Sequence, residues 1–153
     1  MRISEYIDED LVEPDLKGDS KEGVIRELSS LVSKKFPELN GEEIYNLLLE
    51  RESLGSTGIG NGVAIPHGKL KNGERIYLAF GRSRRGVDFD AMDGKPVHLF
   101  FLLLAPESKP AVHLQALAKI SRILKKSEVR EKLMNASSAE EIVNVLREED
   151  SKL

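Results

Sequence analysis

Residues 97–105 read VHLFFLLLA, and from Leu99 to Ala105 the chain places no polar side chain at all. Strict alternation would mark a strand with one wet face, whereas an unbroken apolar run marks a strand covered on both. The run falls far short of the ~20 residues that cross a bilayer, so it reads as a buried strand. Helical segments follow it. SKPAVHLQALAKISRILKK carries Ser108 and Pro110 at its start, SEVREKLM is short, and SSAEEIVNVLREE opens with Ser137-x-x-Glu140, a capping box.

Upstream, RIYLAFGRS (residues 75–83) alternates and is rich in β-formers. It predicts a second strand that ends at the basic turn Arg82-Ser83-Arg84-Arg85-Gly86, with GVDFDAMDGKP connecting it to the apolar strand. Val63-Ala64-Ile65 is a further short strand. Before it stand two amphipathic helices. Residues 19–36 offer Asp19 or Ser20 as cap and repeat Val24, Ile25, Leu28, Leu31 and Val32 at helical spacing. Residues 38–52 place Asn40 as N-cap, Glu43 three positions on, and Ile44, Leu47 and Leu48 as the buried stripe. Helices on both sides of buried strands predict a three-layer α/β/α fold, read as a single domain over residues 1–153 without repeat or linker.

The bulk composition excludes several classes of function. Hydrophobic residues make up 40% and charged residues 32%, with both signs interspersed and a formal net charge of -3, so no polyanion-binding surface and no nucleic-acid partner is expected. Without cysteine there are no disulfides, no thiolate catalysis and no zinc site built on sulfur, in keeping with a reducing cytoplasm. The acidic N-terminus MRISEYIDEDLVEPDL has neither the basic flank nor the apolar core of a signal peptide.

Chemistry concentrates in GIGNGVAIPHGKL, residues 58–70. A dinucleotide fingerprint must follow a strand and open a helix, and this run does the reverse; no P-loop pattern occurs either. His67, His98 and His113 lack any tight metal-ligand spacing, so no metal is expected, and His98 reads as structural. A nucleophilic His67 needs a neutral imidazole with one free nitrogen and donors around an anion. Pro66 fixes the backbone, Gly68 removes a Cβ, and Ser56, Thr57 and the loop N–H groups of Gly60 and Asn61 supply donors. His113 shares a helical face with Leu117, Ile120 and Leu124, which suits a core histidine or, near the helix N-terminus, one that faces an anion. Arg51, between Glu50 and Glu52 at a helix end, is either a surface ion-pair partner or a cation that reaches over His67. Serine-triad chemistry fits less well, for no G-x-S-x-G elbow occurs.

ERESLGSTGIGNGVAIPHGK, FFLLLAPE and HLQALAKISRIL together resemble the type-2 IIA domain of the bacterial phosphoenolpyruvate-dependent sugar phosphotransferase system, its fructose, mannitol and nitrogen-regulatory branch. The resemblance covers nearly the whole chain, most weakly at its two ends. It implies a mixed, mostly parallel sheet of about five strands with helices on both faces. It further implies that His67 accepts a phosphoryl group from the phosphohistidine of the carrier HPr, or its nitrogen-branch relative, and passes it to a IIB domain. His113 matches the family's second histidine and Arg51 the arginine of its E-R-E motif. No cofactor is implied, and any membrane association is indirect, through a permease. Two outlets stand open: fructose- or mannitol-type sugar uptake, and a regulatory module whose phosphorylation state is read by partner proteins.

Overall fold

The computed structural model describes residues Met1–Leu153. Six strands, β1 (Val12–Glu13), β2 (Gly58–Gly60), β3 (Val63–Ala64), β4 (His67–Leu70), β5 (Tyr77–Val87) and β6 (Val97–Pro106), form one sheet. Five α-helices accompany them: α1 (Lys21–Lys35), α2 (Gly41–Ser53), α3 (Pro110–Leu124), α4 (Ser127–Asn135) and α5 (Ala139–Ser151). The sheet order is β1-β5-β6-β3-β2, with β4 also paired to β6. Pairings β1/β5, β3/β6 and β4/β6 are parallel, while β5/β6 and β2/β3 are antiparallel. This is the mixed, mostly parallel open α/β sheet that the resemblance implies, with six strands where about five were expected.

The apolar run forms the centre of the molecule. Every residue of β6 from Leu99 to Pro106 is buried, because α1 and α2 pack together in one layer and α3, α4 and α5 in the other. No helix is long and apolar enough to cross a membrane. α1 starts where the Ser20 side chain accepts the Gly23 N–H, and α2 where Asn40 accepts the Glu43 N–H.

β3 and β4 lie along one edge of β6: Ala64 sits opposite Phe100 and His67 opposite Leu103. Ile65 and Pro66 interrupt this line, so the predicted strand stops one residue short of Ile65. Proline has no N–H for the ladder, yet its carbonyl still accepts the Leu103 N–H at 2.9 Å. The strand therefore resumes at His67 in register with β6.

Three further expectations are corrected. The basic stretch Arg82–Gly86 does not end β5; the strand continues to Val87 through a register shift against β6. Arg82, 1% exposed, turns inward and donates to the carbonyl of Pro14, just after β1, and to those of Leu133 and Ala136, which offer partial negative charge at the end of α4. The cap of α5 is Ser138, which accepts from Glu141 N–H, rather than Ser137 one position earlier; Glu141 reaches back to the Ser137 N–H. Finally, the glycine-rich loop is largely a hairpin. Asn61 (φ 58°) and Gly62 (φ 76°) turn β2 into β3, as an Asn-Gly pair does when both central residues need positive φ.

Candidate functional site

His67 opens β4 directly after the Ile65–Pro66 break, which leaves its ring beside a backbone carbonyl that the sheet does not use. Its Nδ1 lies 2.7 Å from the Ile65 oxygen, so Nδ1 carries the proton and donates it there. The lone pair is then on Nε2, which accepts the Arg51 Nε–H at 3.3 Å. Arg51 comes from the last turn of α2, and its Nη1 donates to the Gly55 carbonyl at 2.7 Å. No ion pair claims this half-buried guanidinium: it bridges a loop carbonyl and an imidazole.

His113 approaches from the first turns of α3, 5% exposed, with its ring 5.5 Å from that of His67 and steeply inclined to it. Its Nδ1 is buried without a hydrogen-bond partner, the state of a polar atom that awaits one. Both imidazoles are held below the ordinary histidine pKa. Burial is the main cause for each; the Ile65 carbonyl and Glu52 oppose it at His67, while Arg51 and Lys69 add to it. At His113 burial acts first, followed by the neighbouring His67 and by Lys69. Two neutral rings thus stand side by side at neutral pH, one with a lone pair turned toward a cation.

The predicted loop donors divide. Ser56 Oγ donates to the Phe89 carbonyl at 2.6 Å and accepts the Gly58 N–H, and Thr57 gives its N–H to the Glu52 carboxylate at 2.9 Å. Both stay close to the end of α2, and the Thr57 Oγ1 is buried with no partner. Gly60 and Asn61 do not join the cluster. They form the hairpin tip beyond Val63, which pairs four residues before the His67 position on β6, about 13 Å away along the strand. There the Asn61 N–H donates to Asp93 Oδ2 at 3.1 Å, and a Cβ on Gly60 would face the same carboxylate. A carboxylate at that tip repels an anion. Gly68 owes its lack of a Cβ to packing, because the Leu47 side chain of α2 stands 3.0 Å from where that atom would be.

Two residues escaped the sequence reading. Glu52 is buried and tied to Thr57, and Lys69 lies two residues after His67, on the same face of β4. Alternation along the strand would have found Lys69. Large apolar side chains also lie open beside the site: Leu54, three residues after Arg51, is 82% exposed and Leu114, next to His113, 67%. Between the first half of α2 and the end of β4 lies a groove of about 460 Å³, lined among others by Leu47, Lys69 and Leu70. No group of acidic, histidine or cysteine side chains is arranged to hold a metal ion.

Known proteins provide the comparison. A family model described as "Phosphoenolpyruvate-dependent sugar phosphotransferase system, EIIA 2" matches residues 5–149. A nitrogen regulatory protein of Bradyrhizobium diazoefficiens is 44% identical over 95% of this chain and 95% of its own length. The fructose-specific EIIA component of Haloferax volcanii is 41% identical over 84% of each chain. Among solved structures, the nitrogen regulatory protein IIA-Ntr of Neisseria meningitidis superposes with a TM-score of 0.88 at 40% identity, covering 94% of this chain and 98% of its own.

Proposed function

The chain belongs to the EIIA type-2 family of the phosphoenolpyruvate-dependent sugar phosphotransferase system, and from that premise we propose that it is a phosphocarrier whose His67 Nε2 accepts a phosphoryl group from a phosphohistidine carrier protein of the HPr type. The observation that carries this reading is the division of labour on the His67 ring: Nδ1 is committed to Ile65 at 2.7 Å, and Nε2 holds the lone pair next to Arg51.

As the Nε2–P bond forms, the donor's N–P bond breaks, and the donor imidazole leaves with that electron pair. The His67 ring acquires positive charge, which the Nδ1–H···O=C bond to Ile65 disperses without losing its proton. Charge spread over the equatorial phosphoryl oxygens is met by the Arg51 guanidinium, whose Nε–H passes from the nitrogen lone pair to an oxygen. His113 supplies a further ring nitrogen, and Lys69 adds positive field. With an imidazole nitrogen on either side of phosphorus, the reaction is nearly balanced. Catalysis then consists of alignment and charge stabilisation. Ser56 and Thr57 shape the loop below Arg51, whereas Gly60, Asn61 and Gly68 serve the fold.

The exposed Leu54 and Leu114 suit a site that receives another protein rather than a small molecule. For the onward step, a IIB domain of a fructose- or mannitol-type permease is one acceptor. The second reading, a regulatory module that controls partner proteins through its phosphorylation state, is favoured by relatives named nitrogen regulatory protein that match over nearly their full length. Incubation with a radiolabelled phosphorylated HPr-type carrier tests the common step. Acid-labile label on the wild type and none on His67→Ala supports it; equal labelling of both refutes it.

A further inference from the structure

The two glutamates that flank Arg51 differ. Glu50 is exposed, while Glu52 is 7% exposed and takes the Thr57 N–H between its two carboxylate oxygens, at 2.9 and 3.2 Å. Its charge is answered from elsewhere: Lys21 Nζ lies 3.5 Å from Glu52 and 3.2 Å from Asp90, with the Phe89 ring centre 5.0 Å away. Arg51 is therefore free to point to the other side. What Arg51 and Glu52 share is the loop that leaves α2.

Farther along, that loop is held by Ser56 Oγ on the Phe89 carbonyl at 2.6 Å and by the Ile65 N–H on the Thr57 carbonyl at 3.0 Å, but its first two residues have few restraints. Leu54 is 82% exposed, Gly55 has φ 146°, and nothing lies within 4 Å of where a Gly55 Cβ would stand. Packing does not fix the Gly55 carbonyl; hydrogen bonds do. Gly55 N–H donates to the Glu52 carbonyl at 3.1 Å, its own carbonyl accepts Arg51 Nη1 at 2.7 Å, and Thr57 N–H returns the chain to the Glu52 carboxylate. A guanidinium is a rigid plane, so the position of the oxygen that Nη1 meets sets the direction of Nε–H. Nε–H is the donor that meets His67 Nε2 at 3.3 Å.

We infer that Glu52 is a positioning residue: by clamping the Thr57 N–H it holds the Gly55 carbonyl where that oxygen seats Arg51 against His67. Its effect on phosphoryl transfer rests on the proposed role of His67; its effect on the Arg51–His67 contact does not. Glu52→Gln keeps an oxygen for Thr57 N–H and drops the charge. Glu52→Ala loses both, and Glu52→Asp keeps the charge on a shorter arm that falls short of Thr57.

The full chain and these variants, alone and combined with Arg51→Ala, are compared in two measurements below their melting temperatures: single-turnover acceptance from the phosphorylated carrier, and imidazole nitrogen NMR titration of His67. Glu52→Gln is expected to transfer within about threefold of wild type, and Glu52→Ala and Glu52→Asp about tenfold more slowly, since the loss is one of alignment. With Arg51→Ala present the three should coincide. In the titration, Glu52→Ala should titrate at higher pH than Glu52→Gln, because the cation has drifted from the ring, and Arg51→Ala should erase that difference. An Ala variant that transfers and titrates like Gln, or an Ala–Gln difference that survives without Arg51, overturns the inference. Should Glu52→Ala fail to fold, Glu52→Asp against Glu52→Gln decides in the transfer measurement alone, where the difference should vanish with Arg51→Ala and its survival overturns the inference; the charge that Glu52→Asp keeps moves the His67 titration by itself. If wild type takes no label, the phosphocarrier reading fails, and the titration alone decides the role of Glu52.

Discussion

His67 and His98 make an instructive pair. Each puts Nδ1 against a backbone carbonyl, His67 at 2.7 Å from Ile65 and His98 at 2.9 Å from Ser83. Each ring therefore has one tautomer selected by the fold. They differ in what surrounds the rest of the ring. His98 lies against Gly86, where a Cβ would stand 2.8 Å from Cε1 and 3.0 Å from Nε2. His67 turns Nε2 to Arg51 and stands beside a second imidazole. Tethering one nitrogen is a structural device in both places; chemistry needs the other nitrogen to meet a charge and leave room for a reactant.

The sharpest way to break this comparison is to remove each ring. His67→Ala should reduce phosphoryl acceptance to background. His98→Ala should transfer within about threefold of wild type and instead cost about 1–2 kcal/mol of stability, read by urea unfolding, for the Ser83 carbonyl it leaves behind. A His98 variant that loses transfer while remaining folded would erase the distinction. Next in size is Arg51→Ala, expected to slow acceptance about 100-fold, as loss of one preorganised donor to a charged transition state does. The same change should raise the pH at which His67 titrates, because Arg51 is one of the groups that lower it. His113→Ala should slow acceptance about tenfold, equivalent to ~1.4 kcal/mol, and shorten the lifetime of the phosphoprotein.

The pH response is the smallest effect. His67 and His113 both have folded pKa values below the unfolded histidine value of about 6.5. For a basic group lowered by folding, the unfolded chain binds the proton more tightly, so stability is unaffected well above 6.5 and falls as pH drops from there toward the folded values. The urea midpoint should hold between pH 8 and 7 and decline below about 6.5. Transfer should stay flat through that point, since Nε2 keeps its lone pair. A loss of transfer centred at or above 6.5 would show that the pair titrates as ordinary surface histidines.

Much of the architecture could be read from the chain because its causes are local. The apolar run from Leu99 to Ala105 announces a strand buried on both faces, and Ser20 and Asn40 announce helix starts through bonds to residues three positions on. Where the reading failed, a distant partner decided the outcome. Arg82 looks like a turn residue until the carbonyls of Leu133 and Ala136 arrive to satisfy it, and without them β5 would have no reason to carry a cation inward. Asn61-Gly62 held a hairpin signal that the density of glycines obscured. At the site, local context made His67, His113 and Arg51 candidates and the family resemblance set them in one site, and the fold brings these three together. It sends Gly60 and Asn61 to Asp93 because the register of β3 on β6 sets the hairpin tip apart, a fact of pairing that no local pattern contains. Glu52 was hidden for a related reason: in sequence it mirrors Glu50, and only Thr57 and Lys21 distinguish it.

The central claim is that phosphate enters on Nε2 of His67 while Nδ1 keeps its proton on the Ile65 carbonyl. Nitrogen–phosphorus coupling in an imidazole-labelled sample, phosphorylated by its carrier, tests this most directly. The account predicts one phosphorus-coupled nitrogen, Nε2 of His67, with Nδ1 of the same ring protonated. Coupling at His67 Nδ1, or on His113 in its place, would contradict it.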